Sequence, residues 1–344
     1  VTKGTQRETF FQWEGERVLI TGAGGFVGAH LARQLLERGA RVVCLLRRSS
    51  RINAIDLLGL RADVRVVEGE ITDLPFLERL LRDEGIEAIF HLAAQSIIGT
   101  ANESPLPTFE TNLRGTYLLL EACRLSGIPR RIVVASSDKA YGHHAIQPLT
   151  EAHALLGLSP YAASKAGADL IARTFAETYQ LPITVCRSAN VYGPADLNFS
   201  RIVPGTFLSL LEGQAPVIRS DGTPVRQFIH VDDLVRGYLS LAELIGETAG
   251  EAFNFGGALP IEIGALVTQL VQLAGFGDQL PPRILLERKP NAVVDTQFLS
   301  AEKAANYLSW QEEIPLTRGL ETTWEWYRDH LPGILPTLRR SLPI

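Results

Sequence analysis

The stretch "VLITGAGGFVGAHLARQL", residues 18–35, passes from an apolar run through four glycines within seven residues into a helical pattern. Gly22, Gly25 and Gly28 have the spacing that allows a tight turn, a close approach of backbone to a phosphate, and close packing of a helix on a strand, with Phe26 opening that helix. A glycine triplet alone also fits an ordinary strand-to-helix turn, so the flanking sequence decides. Working outward, "RVLIT", "RVVCLL", "VRVVEG", "AIFHLAA", "RIVVASS" and "ITVCRSA" alternate with helical patterns over about 25–38, 74–83, 108–126 and 160–179. Short strands apolar on both faces and separated by helices indicate a parallel sheet covered on both sides.

The fold class is therefore α/β, a Rossmann-type doubly wound parallel sheet with a smaller C-terminal substrate domain. We assign 14–190 to the nucleotide-binding domain and 191–330 to the substrate domain. The latter is marked by the Pro- and Gly-rich loops "YGPADLNFSRIVPG" and "SDGTPVRQF" and by helices over 206–212 and 232–244, and it returns the strand "EAFNFGG" to the sheet. Residues 331–344, interrupted by prolines, are expected as a tail packed on the surface or mobile.

The chain has 344 residues, 46% of them hydrophobic, enough to bury a large core. Its net charge of -5 and scattered cations favour a small-molecule partner over nucleic acid or a membrane surface. Cys44, Cys123 and Cys186 lack metal or redox spacing and read as reduced core residues. No apolar run approaches the roughly 18 residues of a membrane span and the first residues lack a signal-peptide pattern, so a cytoplasmic location is expected.

In this context the glycine turn is a dinucleotide site, with the helix start offering its free N–H groups to the pyrophosphate. Where an NAD site usually places an acidic residue after the second strand, this chain has Leu46, followed by Arg47, Arg48, Ser49 and Ser50. Guanidiniums suit a 2'-phosphate, which favours NADP, with NAD possible. Tyr161 and Lys165, four residues apart on a helix opening after Ser159-Pro160, share one face, and a nearby ammonium lowers a phenol's pKa, making Tyr161 a candidate base.

Together these motifs resemble the extended short-chain dehydrogenase/reductase family, within it the nucleotide-sugar epimerases and dehydratases. The resemblance runs from "VLITGAGGFVGAHL" through "GEITD", "IFHLAAQS", "TNLRGT", "SSDKAYG", "YAASK" and "RSANVYGP" to "RQFIHVDDLVRG" and "AFNFGG". It implies that Glu70 and Ile71 line the adenine, that Leu92, Ala93 and Ala94 contact the cofactor ribose and phosphate, and that Lys165 holds the nicotinamide ribose. It also implies that Tyr161 takes the proton of the sugar 4-hydroxyl, with Ser137 on the same oxygen. A homodimer built on the helices over 108–126 and 160–179 is a further expectation from the resemblance.

Oxidation at carbon 4 acidifies the proton on carbon 5. A 4-epimerase needs no further acid or base, whereas a 4,6-dehydratase must deprotonate carbon 5 and protonate the departing 6-hydroxyl. Asp138 as acid and Lys139 as base supply that pair. The run Ser137-Asp138-Lys139 looks like the CDP-glucose 4,6-dehydratases, while "RRSS" looks like the GDP-mannose enzymes. On the substrate side, Asn190 matches the family's phosphate-contacting Asn and Arg226 its Arg toward the nucleotide; Arg201, Arg219 and Arg288 are weaker candidates. His143, His144 and His230 lack ligand spacing, so no metal is expected. The expected activity is an NAD(P)-dependent nucleotide-sugar 4,6-dehydratase, CDP-glucose favoured. A 4-epimerase, a 4-ketosugar reductase and a cofactor-binding regulator without turnover remain alternatives.

Overall fold

Each apolar run becomes a strand, buried on both faces except at the sheet-edge strand Arg65–Glu68. The described residues, 11–48, 52–285 and 296–341 of a computed structural model, contain β1 (Arg17–Thr21), β2 (Arg41–Leu46), β3 (Arg65–Glu68), β4 (Ala88–His91), β5 (Arg131–Ser137), β6 (Ile183–Ser188), β7 (Asn190–Tyr192), β8 (Val217–Ile218), β9 (Val225–His230), β10 (Ala252–Phe255), β11 (Pro260–Glu262), β12 (Arg283–Ile284) and β13 (Thr296–Gln297). A seven-stranded sheet runs β10-β6-β5-β4-β1-β2-β3, every pair parallel. Alternate residues feed opposite layers. Val18 and Ile20 of β1 pack with Phe90 and Val133 on one face, while Leu19 packs with Ile132 and Val134 on the other. Strand order reverses between β1 and β4, which opens a crevice outside their carboxyl ends.

The helices Leu74–Asp83 and Pro160–Tyr179 have the bounds the spacing predicts. Ser159 Oγ accepts from Ala162 N at 3.3 Å and proline occupies the first turn, so the latter helix starts where its sequence dictates. The helix expected over 108–126 is interrupted instead: Pro105–Phe109 leads through a wide π turn, Glu110–Arg114, into Gly115–Ser126. That turn carries Asn112, whose side chain bonds Gln95 N and O and Ser164 Oγ, tying the loop after β4 to the helix Pro160–Tyr179.

β7 leaves the main sheet and pairs with β9, which also holds β11 and β13. The helices Ile202–Leu211, Ile263–Leu273 and Leu316–Ser341 close a second core around Phe207, Leu270 and Trp324. The return of "EAFNFGG" to the main sheet appears as β10 beside β6. The expected tail differs. Residues 331–341 continue the helix Leu316–Ser341 through Pro332 and Pro336, and Leu331 and Leu338 are buried. Trp324, Tyr327, Leu331, Ile334, Leu335 and Leu338 recur at helical spacing against the second core, and that burial outweighs the hydrogen bonds the two prolines remove.

Candidate active site

The glycine turn is built by contact. Gly22 has φ of 75°, and a Cβ there would stand 2.7 Å from Leu92 C and Ala93 N; one on Gly28 would stand 2.5 Å from Gly22 O. Gly25 caps the helix Phe26–Glu37 without a side chain, so nothing of its own occupies the first-turn N–H groups. A cleft of about 220 Å³ adjoins them, lined by Gly24, Gly25, Phe26, Asn53 and Arg201 among others. Glycine walls, free N–H groups and a guanidinium fit the phosphates of a dinucleotide. The other candidate cofactor residues follow the carboxyl ends of neighbouring strands: Arg47 and Arg48, exposed, after β2; Glu70, exposed, and Ile71, buried, after β3; Leu92, Ala93 and Ala94, partly buried, after β4.

The Ala93 N–H is oriented by a relay that the sequence reading missed. Thr116 spends its one proton on Asn112 O at 2.6 Å, so it accepts from His91 Nε2 at 2.9 Å. His91 Nδ1 then accepts from Thr21 Oγ1 at 2.7 Å, leaving that oxygen to accept from Ala93 N at 3.2 Å. Burial, with the Lys165 charge second, pushes the His91 pKa down to about 3 and keeps the ring neutral, as this arrangement needs.

β5 ends in the candidate catalytic groups. The Ser137 hydroxyl caps the turn Asp138–Tyr141 by accepting from Lys139 N at 3.2 Å, and it donates to Asp138 Oδ1 at 3.0 Å. Asp138 is 3% exposed. Its Oδ2 lies 2.6 Å from Lys139 Nζ, which also donates to Gln297 Oε1 at 3.1 Å. Neither group is turned into bulk solvent, but the two are paired. Tyr161 stands beside them with its phenol held above its ordinary pKa by burial, opposed by the Ser137 hydroxyl and the Arg201 charge and reinforced by the Asp138 charge. Lys165 is not what lowers the phenol. Its Nζ donates to Ala135 O at 2.8 Å, and burial pulls its pKa down to about 8, partly offset by the Asp169 charge.

Behind the turn lies a buried network. Arg187 Nε and Nη2 each donate to Asp169 at 2.8 Å, Arg187 Nη1 donates to Tyr141 Oη at 2.8 Å, and Tyr141 donates to Asn254 Oδ1 at 2.8 Å. It joins β6, β10 and the helix bearing Tyr161 to the turn bearing Asp138. "Asp" at Lys165 plus four and "Arg" inside an otherwise apolar strand were its only traces in the sequence.

The substrate-side candidates spread more widely. Arg201 reaches the cleft and pairs with Asp196 at 2.9 Å. Asn190 Nδ2 donates to Gln227 O at 3.0 Å, joining β7 to β9, and Arg226 Nη1 donates to Val225 O at 2.7 Å. Ser49, Ser50 and Arg288 lie outside the described residues. Among the described residues no group of three or more His, Cys, Asp or Glu converges as a metal site, and no helix is long and apolar enough to cross a membrane.

Fold and glycine turn together define a dinucleotide-binding α/β protein whose candidate centre holds Ser137, Tyr161 and Lys165. The chain belongs to the NAD dependent epimerase/dehydratase family, whose model matches residues 18–256. A trifunctional UDP-glucose 4,6-dehydratase/UDP-4-keto-6-deoxy-D-glucose 3,5-epimerase/UDP-4-keto-L-rhamnose-reductase of Arabidopsis thaliana is 28% identical over 91% of this chain, which spans only 47% of that relative. Among solved structures, a dTDP-glucose 4,6-dehydratase from Streptomyces venezuelae with NAD bound superimposes with TM-score 0.84 at 33% identity, covering 92% of this chain and 98% of that one. A UDP-glucose 4-epimerase from Thermotoga maritima with UDP-glucose also gives TM-score 0.84, at 29% identity over 92% and 99% of the two chains.

Proposed function

We propose that the protein is a nucleotide-sugar 4,6-dehydratase acting on a pyrimidine nucleoside diphosphate glucose and returning its 4-keto-6-deoxy product. The observation that carries this reading is the Asp138–Lys139 pair, its carboxylate buried and its amine partly open, beside Ser137 and Tyr161. A pure epimerase has no use for a second acid and base there. Relatives named as dTDP- and UDP-glucose 4,6-dehydratases support it. The Ser137-Asp138-Lys139 run puts CDP-glucose first among the pyrimidine nucleotides.

Tyr161 takes the 4-hydroxyl proton and Ser137 holds the same oxygen. When bound, the nicotinamide supplies the hydride acceptor at carbon 4 and the hydride donor at carbon 6. Lys139, as the amine, removes the carbon 5 proton; Asp138, as the acid, protonates the 6-hydroxyl, the C6–O bond breaks and water leaves. Both neutral forms arise from the ion pair by one proton transfer along the 2.6 Å contact. The protons balance. Lys139 returns its proton to carbon 5, and the proton from the 4-hydroxyl passes from Tyr161 through Ser137, 3.0 Å from Asp138 Oδ1, to recharge the acid.

For the cofactor we propose NADP. Arg47 and Arg48 are exposed just after β2, where two guanidiniums suit a 2'-phosphate. The NAD bound in the Streptomyces relative makes NAD the competing outcome when the purified protein is denatured and its nucleotide identified. A homodimer is proposed on the helices Gly115–Ser126 and Pro160–Tyr179, where Tyr117, Leu125, Leu170 and Tyr179 are exposed. Light scattering gives the mass.

The deciding assay offers CDP-, dTDP- and UDP-glucose and GDP-mannose in turn. A product lighter by one water supports the dehydratase. A product of unchanged mass supports the second reading, a 4-epimerase in which Asp138 and Lys139 form a structural ion pair, and the fit to the Thermotoga epimerase keeps that reading in play. A protein that binds the dinucleotide but turns over none of the four would be a regulator.

A further inference from the structure

We propose that Gln297 is a positioning residue that aims the reacting amine of Lys139; the inference rests on the dehydratase reading. Gln297 is 2% exposed and lies on β13, held in parallel register against β9 with Gln297 opposite Arg226. It reaches the catalytic turn from 158 residues away. The next residues are pinned as well: Phe298 N donates to Gln147 Oε1 at 3.2 Å, and Leu299 N donates to Gln227 Oε1 at 2.9 Å.

The amide has one orientation that satisfies its neighbours. Nε2 donates to Asp138 O at 2.8 Å and, at 3.5 Å, to Gly142 O. Both are carbonyls that only accept, so Oε1 is turned to Lys139 Nζ at 3.1 Å. The Lys139 nitrogen has three directions besides its bond to carbon. Asp138 Oδ2 occupies one and Gln297 Oε1 a second. Proton transfer to Asp138 Oδ2 leaves the lone pair facing that oxygen. Once the acid proton turns to the 6-hydroxyl, rotation about Cε–Nζ donates the two N–H bonds to Asp138 Oδ2 and Gln297 Oε1, and the lone pair takes the third direction, on a side chain that keeps 23% of its surface open. Gln297 thereby selects the lone pair as the face offered to carbon 5. A neutral acceptor suits this task, because a carboxylate in its place favours the ammonium, which has no lone pair.

The test compares the parent with Gln297→Met, which keeps length and loses all three side-chain hydrogen bonds, and Gln297→Glu, which keeps an acceptor and adds charge. Gln297→Asn, an amide one methylene short of Nζ, decides if either melts far below the parent. Four readouts are followed with the active nucleotide sugar: reduced-nicotinamide absorbance, exchange of the carbon 5 hydrogen with deuterated solvent, keto-deoxy product, and calorimetric affinity. The expected result is unchanged affinity and unchanged 4-hydroxyl oxidation, with carbon 5 exchange and product formation slowed about a hundredfold, the scale of a misplaced reacting group. Carbon 5 exchange at the parental rate overturns the inference alone, and so does an equal fall in oxidation and exchange, which marks a structural role. A parent that forms no keto-deoxy product overturns the dehydratase reading and the inference with it.

Discussion

Lys139 Nζ and Asp138 Oδ2 stand 2.6 Å apart, the carboxylate almost wholly buried and the amine partly open. Adjacent residues on a tight turn thus hold an acid and a base as a charge-neutral unit. Lys139→Ala is expected to leave dinucleotide binding and 4-hydroxyl oxidation intact and to stop elimination, read as reduced-nicotinamide absorbance without keto-deoxy product. Asp138→Asn keeps the size of the acid without its proton and is expected to slow product formation by about 10²–10⁴, the usual worth of general acid catalysis. Normal product from Lys139→Ala removes that residue from the base's role.

The Tyr161 phenol must lose its proton to act as base, and burial holds its pKa up. The Ser137 hydroxyl and the Arg201 charge both pull it down, so removing either raises it further. The sign follows. A base is active above its pKa, so Ser137→Ala is expected to move the rise of the oxidation rate to higher pH and lower the rate at neutrality. Stopped-flow absorbance of the reduced nicotinamide against pH checks this. A profile that keeps its position in Ser137→Ala means the hydroxyl does not tune the phenol.

Much of this molecule is legible from local pattern, because its strands are apolar on both faces and its helices begin at readable caps. Pro160 after Ser159 fixed where the Tyr161 helix starts, and Tyr161 and Lys165 follow from helical spacing. Gln297 was not legible. It comes to Lys139 only because β13 pairs with β9, and a polar residue in a short strand carries no sign of its partner. Lys165 shows the opposite limit: spacing put it on the Tyr161 face, while its hydrogen bond to Ala135 O was set by β5, a strand 30 residues earlier. The prolines at 332 and 336 misled because their local effect opposes a helix that tertiary burial of Leu331 and Leu338 sustains.

Arg187 and Asp169 are 2% and 0% exposed and bonded through two nitrogens. Burial by itself pulls the guanidinium's pKa down, but the Asp169 bonds and charge more than reverse this and hold it raised. Arg187→Ala strands a buried carboxylate that keeps one ion pair, to Arg173 Nε at 3.1 Å, and the charge of Lys165 nearby. The expected loss of unfolding free energy is about 3–5 kcal/mol by denaturant titration. Double replacement with apolar residues, Asp169→Leu with Arg187→Met, is expected to recover much of it, since the penalty comes from the unpaired charge. A double variant no better than Arg187→Ala contradicts that account.

Lys165 carries a pH signature that separates it from every other group in the site. Burial brings its pKa down from 10.5 to about 8. Between these values the unfolded chain binds a proton that the folded chain does not, so this residue's contribution to stability rises with pH through the window and is lost as pH falls below about 8. At neutrality the buried ammonium weighs against folding by roughly 3 kcal/mol, at about 1.4 kcal/mol per pH unit. Cysteines and tyrosines whose pKa values burial raises in the folded chain titrate in this range once unfolded, so the parent curve alone is not diagnostic. The difference between the parent and Lys165→Met is. With no bound ligand, the parent's unfolding free energy is expected to gain on the variant's as pH is raised from 7 to 10.5, measured by denaturant titration at each pH. A difference that stays flat means that Lys165 is solvated like a surface lysine, and the hydrogen bond to Ala135 then does not hold it inside the site.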